Sequence, residues 1–510
     1  MSLAVIHTRA RMGIDAPLVT VEVHLSNGLP ALNIVGLPEA AVRESKDRVR
    51  SAIMNSQFDF PTRRITINLA PADLPKEGGR YDLAIALGIL AASEQIPSAP
   101  LEPLEFLGEL ALSGSLRAVP GVLPAALATR KQGRTLIVPI QNAEEANLPS
   151  GAKTIAGTTL LEICDYLRGA NSESDRSAHK DNQSTLYQSS LPTTQATFTG
   201  PNLNEVKGQH QAKRALTLAA AGGHSLLMYG PPGTGKTMLA SRLPSILPPM
   251  DEREALESAA IASISGKSFD PATWLQRPFR APHHTASAVA LVGGGSTPKP
   301  GEISLAHNGV LFLDELPEYD RKVLEVLREP LESGSVVISR AASQAHFPAK
   351  FQLVTAMNPC PCGYLGDPTH HCQCSDKQIK RYKAKLSGPL MDRIDLHINV
   401  PALSHSELSS AQETTSSEQI QHQVCCARDR QLSRQGKINS ALSSKEVDRY
   451  CALQPSQALL MEKASQQLGF SARAYHRILR VARSIADLEE SEQLSTQHLT
   501  EALHYRPQAT

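Results

Sequence analysis

Gly230, Pro231, Pro232, Gly233, Thr234, Gly235, Lys236 and Thr237 follow the spacing G-x-x-x-x-G-K-[ST]. Small residues leave backbone N–H groups uncovered, and the start of a following helix adds positive potential, which is what a bound triphosphate requires. The spacing predicts an ATP site in which Lys236 reaches the β- and γ-phosphates and Thr237 holds Mg²⁺. An apolar run, Val310-Leu-Phe-Leu, ends in Asp314-Glu315. Two acids at the exit of a buried strand fit Asp314 as a magnesium partner, through its water shell, and Glu315 as the group that polarises the attacking water. A further run, Phe351–Met357, delivers Asn358, whose amide can report on the γ-phosphate.

Cys360 and Cys362 are followed by Cys372 and Cys374. Four thiolates in two C-x-C pairs could hold a structural Zn²⁺, but the pairs are tighter than the usual C-x₂-C knuckle, and free thiols are an equal alternative. Arg393 stands between Asp392 and Asp395 beside an apolar strand. In isolation such an arginine is a local ion pair; in a ring ATPase it would reach the γ-phosphate of the neighbouring subunit. Arg473, Arg477, Arg480 and Arg483 share one face of a helix over 472–488. Most of that stripe reads as solvated or salt-bridged, and Arg473, at the helix start, is expected to point at nucleotide from the chain's own lid.

These residues need a scaffold. Ser225–Tyr229 reads as a buried strand and Met238–Leu243 as the first turns of a helix, so the phosphate loop has the strand-helix context it needs. The Gly- and Pro-rich segment from Arg277 to Gly301 reads as an exposed, structured insertion, with hydrogen-bonding structural roles expected for His283 and His284. No aromatic residue falls between Arg280 and Leu311, which favours a nucleic-acid track with Lys299 as a phosphate contact. Val336–Ser339 and Phe351–Ala356 read as strands flanking a projecting tip, Arg340–His346, so Arg340 and Lys350 join Lys299 as candidate DNA contacts.

Ahead of this module, alternating Val19, Val21, Val23 and Leu25, a helix over Glu39–Met54 and a strand over Arg64–Leu69 describe a separate α+β or α/β unit. The expected division is 1–169, a linker over 170–200 rich in Ser, Thr, Gln and Asn, an α/β nucleotide module over 201–402 and a helical lid over 403–510. The 510 residues carry a net charge of +1, so any phosphate-binding surface is local rather than global. No stretch approaches the roughly 18 apolar residues of a membrane span, and eight cysteines in so long a chain do not build a disulfide scaffold. A soluble, cytoplasmic protein is expected.

Three phrases in the first unit, Gly28–Pro38, Asn68–Gly78 and Asp82–Gly88, resemble the Lon-protease-like domain, a fold of the ribosomal-S5 type. Where that family carries its serine and lysine, this chain has Arg80 and, on or near the second position, Ala125, so no Ser-Lys nucleophile is expected. Phosphate loop, acidic pair, Asn358, Arg393 and Arg473 in this order look like an AAA+ ATPase. Arg280-Ala-Pro-His-His-Thr285, Lys299–Glu315, Ser471–Tyr475 and Val481–Leu488 are similar to its magnesium-chelatase-like branch. The whole layout resembles the bacterial YifB/ComM family. That resemblance implies a homo-hexameric motor on single-stranded, forked or branched DNA, a helicase promoting branch migration in natural transformation. A chelatase-type motor subunit and a protein-remodelling scaffold are the competing readings.

Overall fold

The computed structural model describes residues 2–37, 39–169, 200–266, 273–295, 298–339, 344–367, 370–404 and 415–506. The expected linker, except Gly200, and the candidate DNA contact Arg340 lie outside these residues. The chain forms a mixed α/β structure of two compact units, Met1–Gln195 with Ala259–Trp274, and Ala196–Ser258 with Leu275–Thr510. Among the described residues no helix is long and apolar enough to cross a membrane.

The first unit is built on a seven-stranded sheet in the order Ala31–Val35, Arg64–Ala70, Leu18–Ser26, Ser2–Arg9, Leu104–Phe106, Thr135–Pro139, Thr154–Gly157. Along Leu18–Ser26 the burial alternates, with Val19, Val21, Val23 and Leu25 inward, because side chains of a strand point to opposite faces in turn. The expected helix is Ala40–Asn55; Glu39 precedes it without a side-chain capping bond, its first turn has no acid and its last no base. Helix Asp82–Ala92 is buried at every position. Its one charge, Asp82, is met by Arg48 at 2.8 Å and by the Leu110 amide at 3.3 Å, as a charge inside a core must be. Arg80 is also buried, and its guanidinium donates to the Pro120 carbonyl at 3.0 Å. Ala125 is fully buried.

The second unit is organised by a five-stranded sheet in the order Phe279–Arg280, Val310–Leu313, Gln352–Met357, Leu226–Tyr229, Leu396–Asn399. Every pairing is parallel, so all five carboxyl ends emerge at one edge. Buried on both faces, such strands read as continuous apolar runs, and Val310–Leu313 is buried throughout. The core is shared with the C-terminal helices: Leu226, Phe312 and Val354 belong to one cluster with Ile420, Met461, Ile478, Ile485 and Leu499.

Two local expectations need correction. The segment from Arg277 is not wholly an exposed insertion, since Phe279–Arg280 is an edge strand of the sheet. Arg277 is bonded to the carbonyls of Pro248 and Asn308, both at 2.7 Å. Second, Val336–Ser339 does not pair with the strand Gln352–Met357. Ser335–Ser339 and Gln344–Pro348 form their own antiparallel ribbon, with Val336, Ile338, Ala345 and Phe347 buried on one side. Lys350 therefore sits at the ribbon's base, its stem over Gly334, while Lys299 is exposed on a separate short hairpin. Of the two states expected for the arginine stripe of helix Ala472–Leu488, the salt-bridged one is found at Arg477 and Arg483, while Arg473 is exposed. Arg483 is buried and meets Asp487 at 3.0 Å, and Arg477 faces Asp395 at 3.5 Å. The helix packs on more than one side, so its cationic face needs buried acids.

Candidate nucleotide site and cysteine cluster

Residues distant in sequence meet at the carboxyl edge of the sheet. Tyr229 leads into the phosphate loop, Leu313 into Asp314-Glu315 and Met357 into Asn358. Register brings Tyr229 opposite Met357, and the Gly230 amide donates to the Met357 carbonyl at 3.3 Å. Gly233 and Gly235 adopt φ values of 79° and 85°, a region that residues with a Cβ avoid, and the helix begins at Lys236.

The Lys236 ammonium lies inside this loop. It donates to the carbonyls of Gly230 and Pro231, each at 2.8 Å, and to the Asn358 side-chain oxygen at 3.2 Å. Burial lowers its pKa, and the carboxylates of Asp314 and Glu315 work against that lowering. All three acceptors are neutral, so a phosphate oxygen offers the cation a stronger, charge-assisted partner. The Thr237 hydroxyl donates to an Asp314 carboxylate oxygen at 2.5 Å. A hard cation with oxygen ligands suits this pair, which could hold Mg²⁺ beside the phosphates.

Glu315 has φ of 50°, unusual for a residue with a side chain, and its carboxylate meets His284 Nδ1 at 3.1 Å. The Tyr319 hydroxyl also donates to the Pro282 carbonyl at 2.7 Å, so the His283–His284 segment is tied to the chain just after Glu315. His283 bonds Thr285, Nδ1 to Oγ1 at 2.8 Å, in line with the structural role expected of it. The His284 contact was missed; its only signal was the polar pair following the strand that lies beside Val310–Leu313. A cavity of about 610 Å³ opens beside Tyr229, lined also by Gln211, His397, Asn399, Thr500 and Glu501.

Arg393 and Arg473 are not brought to this loop. The Arg393 carbonyl accepts from the Ser225 hydroxyl at 2.9 Å, and Ser225 precedes the strand whose other end carries Gly230. Its guanidinium bonds Glu332 and, at 2.6 Å, the Pro389 carbonyl. Arg473 is exposed one turn before Arg477, and Arg477 faces Asp395. Asp395 in turn accepts from the Ser225 amide at 3.2 Å. Both arginines thus belong to elements anchored at the amino edge.

Next to Asn358, the sulfurs of Cys360, Cys362, Cys372 and Cys374 all lie within 4.8 Å of one another. Sγ separations of 3.3 Å for Cys360–Cys362, and 3.6 Å from each of these to Cys372, are far longer than a disulfide. They approach the edge of about 3.8 Å that a tetrahedron with Zn–S bonds of about 2.3 Å requires. Backbone N–H groups of Tyr364 and Gln373 hold the Cys362 thiol below its ordinary range, while Cys372 and Cys374, crowded by burial and by the Cys362 and Cys360 sulfurs, are pushed above theirs. The donor set fits zinc.

The fold and this loop define a magnesium-chelatase-like AAA+ protein. Three family models match the chain: magnesium chelatase subunit ChlI over residues 202–408, a second model of that subunit over 21–142, and its C-terminal model over 414–506. The chain is 54% identical to competence protein ComM of Haemophilus influenzae, over 99% of this chain and 98% of that protein. It is 49% identical to YifB of Escherichia coli over 99% of this chain and 97% of that protein. Identity to the magnesium-chelatase 38 kDa subunit of Cereibacter sphaeroides is 26%, over 30% of this chain and 51% of that subunit. The chain belongs to the YifB/ComM family, and its membership points to an ATPase.

Proposed function

We propose that this protein is an ATP-driven, homo-hexameric motor on DNA that promotes branch migration of recombination intermediates in natural transformation. The observation that carries the reading is the division of the site between two sheet edges. Lys236, Thr237, Asp314, Glu315 and Asn358 share the carboxyl edge, while Arg393 is held at the amino edge. A site completed by a neighbouring copy closes as a ring when the same head-to-tail contact repeats.

In this reading Lys236 and the loop amides bind the triphosphate, Thr237 and Asp314 hold Mg²⁺, Glu315 polarises the attacking water, and Asn358 positions it. Arg393 exchanges Glu332 for the γ-phosphate of the next subunit, with Arg473 on the same side. The expected division at 169, 200 and 402 gives a Lon-protease-like unit without the Ser-Lys pair, a linker, a motor and a lid. Lys299, Arg340 and Lys350 are assigned to DNA phosphates. The competence-protein relative supports DNA over a porphyrin. The test is the Lys236→Ala variant, assayed for ATP hydrolysis and for branch migration on a four-stranded junction. Both activities are expected to vanish, and wild-type rates would overturn the reading.

A further inference from the structure

The cysteine cluster lies against the phosphate loop. Asn358, which accepts from Lys236, is separated from Cys360 by Pro359 alone. Gly363, in the turn after Cys362, rests on Pro232 of the phosphate loop, so closely that a Cβ at Gly363 would fall 2.7 Å from Pro232 Cδ. Gly363 has φ of 89°, a second reason for glycine there. On the other side, Ser375 follows Cys374 and caps helix Asp376–Lys383 through a capping box. Tyr382 of that helix is buried against the Asn358 backbone. The stretch from Cys360 to Cys374 is thus joined at its first end to Asn358 and, through Gly363, to Pro232.

We infer that a zinc ion held by Cys360, Cys362, Cys372 and Cys374 sets ATP affinity, by pressing Gly363 against Pro232 and fixing Asn358 against Lys236. The inference rests on the nucleotide-site reading and adds a metal requirement to it. The physical reason is preorganisation. The described residues of this stretch form no helix or strand that would hold it, and a bound metal supplies that order. Without it, the phosphate loop loses one wall, and binding must bear the cost of ordering it. The cysteines are positioning residues, since none is argued to touch the nucleotide.

The experiment measures zinc per chain and the Kd for a fluorescent ATP analogue in excess Mg²⁺, on the full chain. Four samples are compared: wild-type protein, the same protein stripped by a zinc-selective chelator, the stripped protein re-supplied with zinc, and Gly363→Ala. Wild type is expected to carry one zinc, stripping to raise the Kd about tenfold or more, and zinc to restore it. Gly363→Ala is expected to keep its zinc while binding ATP more weakly, because it moves the wall and leaves the metal. Zinc lost with no change in Kd, or a wild type that takes up no zinc, would overturn the inference. A wild type that binds zinc but no ATP analogue would instead overturn the nucleotide reading.

Discussion

Mixing two inactive variants gives the sharpest test of the shared site. Arg393 is anchored beside Ser225, and the phosphate loop starts after Tyr229. Four strand residues at about 3.3 Å each separate the two edges by about 13 Å, and the Arg393 guanidinium is turned to Glu332. In a ring, then, Lys236 serves its own site and Arg393 the next subunit's. Arginine fingers contribute about 10³–10⁵ in rate, so Arg393→Ala is expected to hydrolyse ATP at no more than about a thousandth of the wild-type rate. Lys236→Ala is expected to be equally silent. In an equal mixture a site works when an Arg393→Ala subunit supplies the phosphate loop and a Lys236→Ala neighbour supplies the arginine, which random assembly produces at about one interface in four. The assay is steady-state phosphate release after subunit exchange, with DNA present. Recovery towards a quarter of wild type is expected. A mixture as silent as its components would refute the reasoning, as would an Arg393→Ala protein with full activity.

Two further predictions concern histidines. The His284–Glu315 pair is partly exposed and so is worth only about 0.3–1 kcal/mol. Because it occupies the carboxylate proposed to polarise water, His284→Ala should raise DNA-free ATP hydrolysis about two- to fivefold, and a fall in the basal rate would show that the histidine aids catalysis instead. His397 is buried, and burial pushes its pKa down to about 4. Its unfolded value is about 6.5, so the unfolded chain binds the extra proton first. Stability is then full above about pH 6.5 and is lost as pH falls towards 4, by up to about 3 kcal/mol. Urea titrations across that window should show the decline for wild type and a flatter profile for His397→Gln.

How much of this was readable in the chain varies with the range of the interaction. The phosphate loop, the acidic pair and Asn358 were legible because each is a local consequence of a buried parallel strand ending at a sheet edge, and apolar runs announce such strands. Contacts decided by partners far along the chain were not. Nothing near Arg477 announces Asp395, and nothing near Glu315 announces His284, 31 positions earlier by residue number. Periodicity found Val336–Ser339 but could not choose its partner, since the following apolar run belongs to the central sheet and the less apolar Gln344–Pro348 forms the ribbon. Likewise Ala259–Trp274 groups with the first unit, although it interrupts the second in sequence.

The central claim, an ATPase coupled to DNA, is tested most directly by phosphate release against single-stranded, duplex and four-way junction DNA at rising salt, for wild type and Lys236→Ala. A motor that tracks phosphates should be stimulated most by branched DNA. Its apparent affinity should fall linearly in log–log form with salt, at a slope of about −0.9 per phosphate contact on duplex, and Lys236→Ala should be silent throughout. Hydrolysis indifferent to every DNA and to salt would contradict the account.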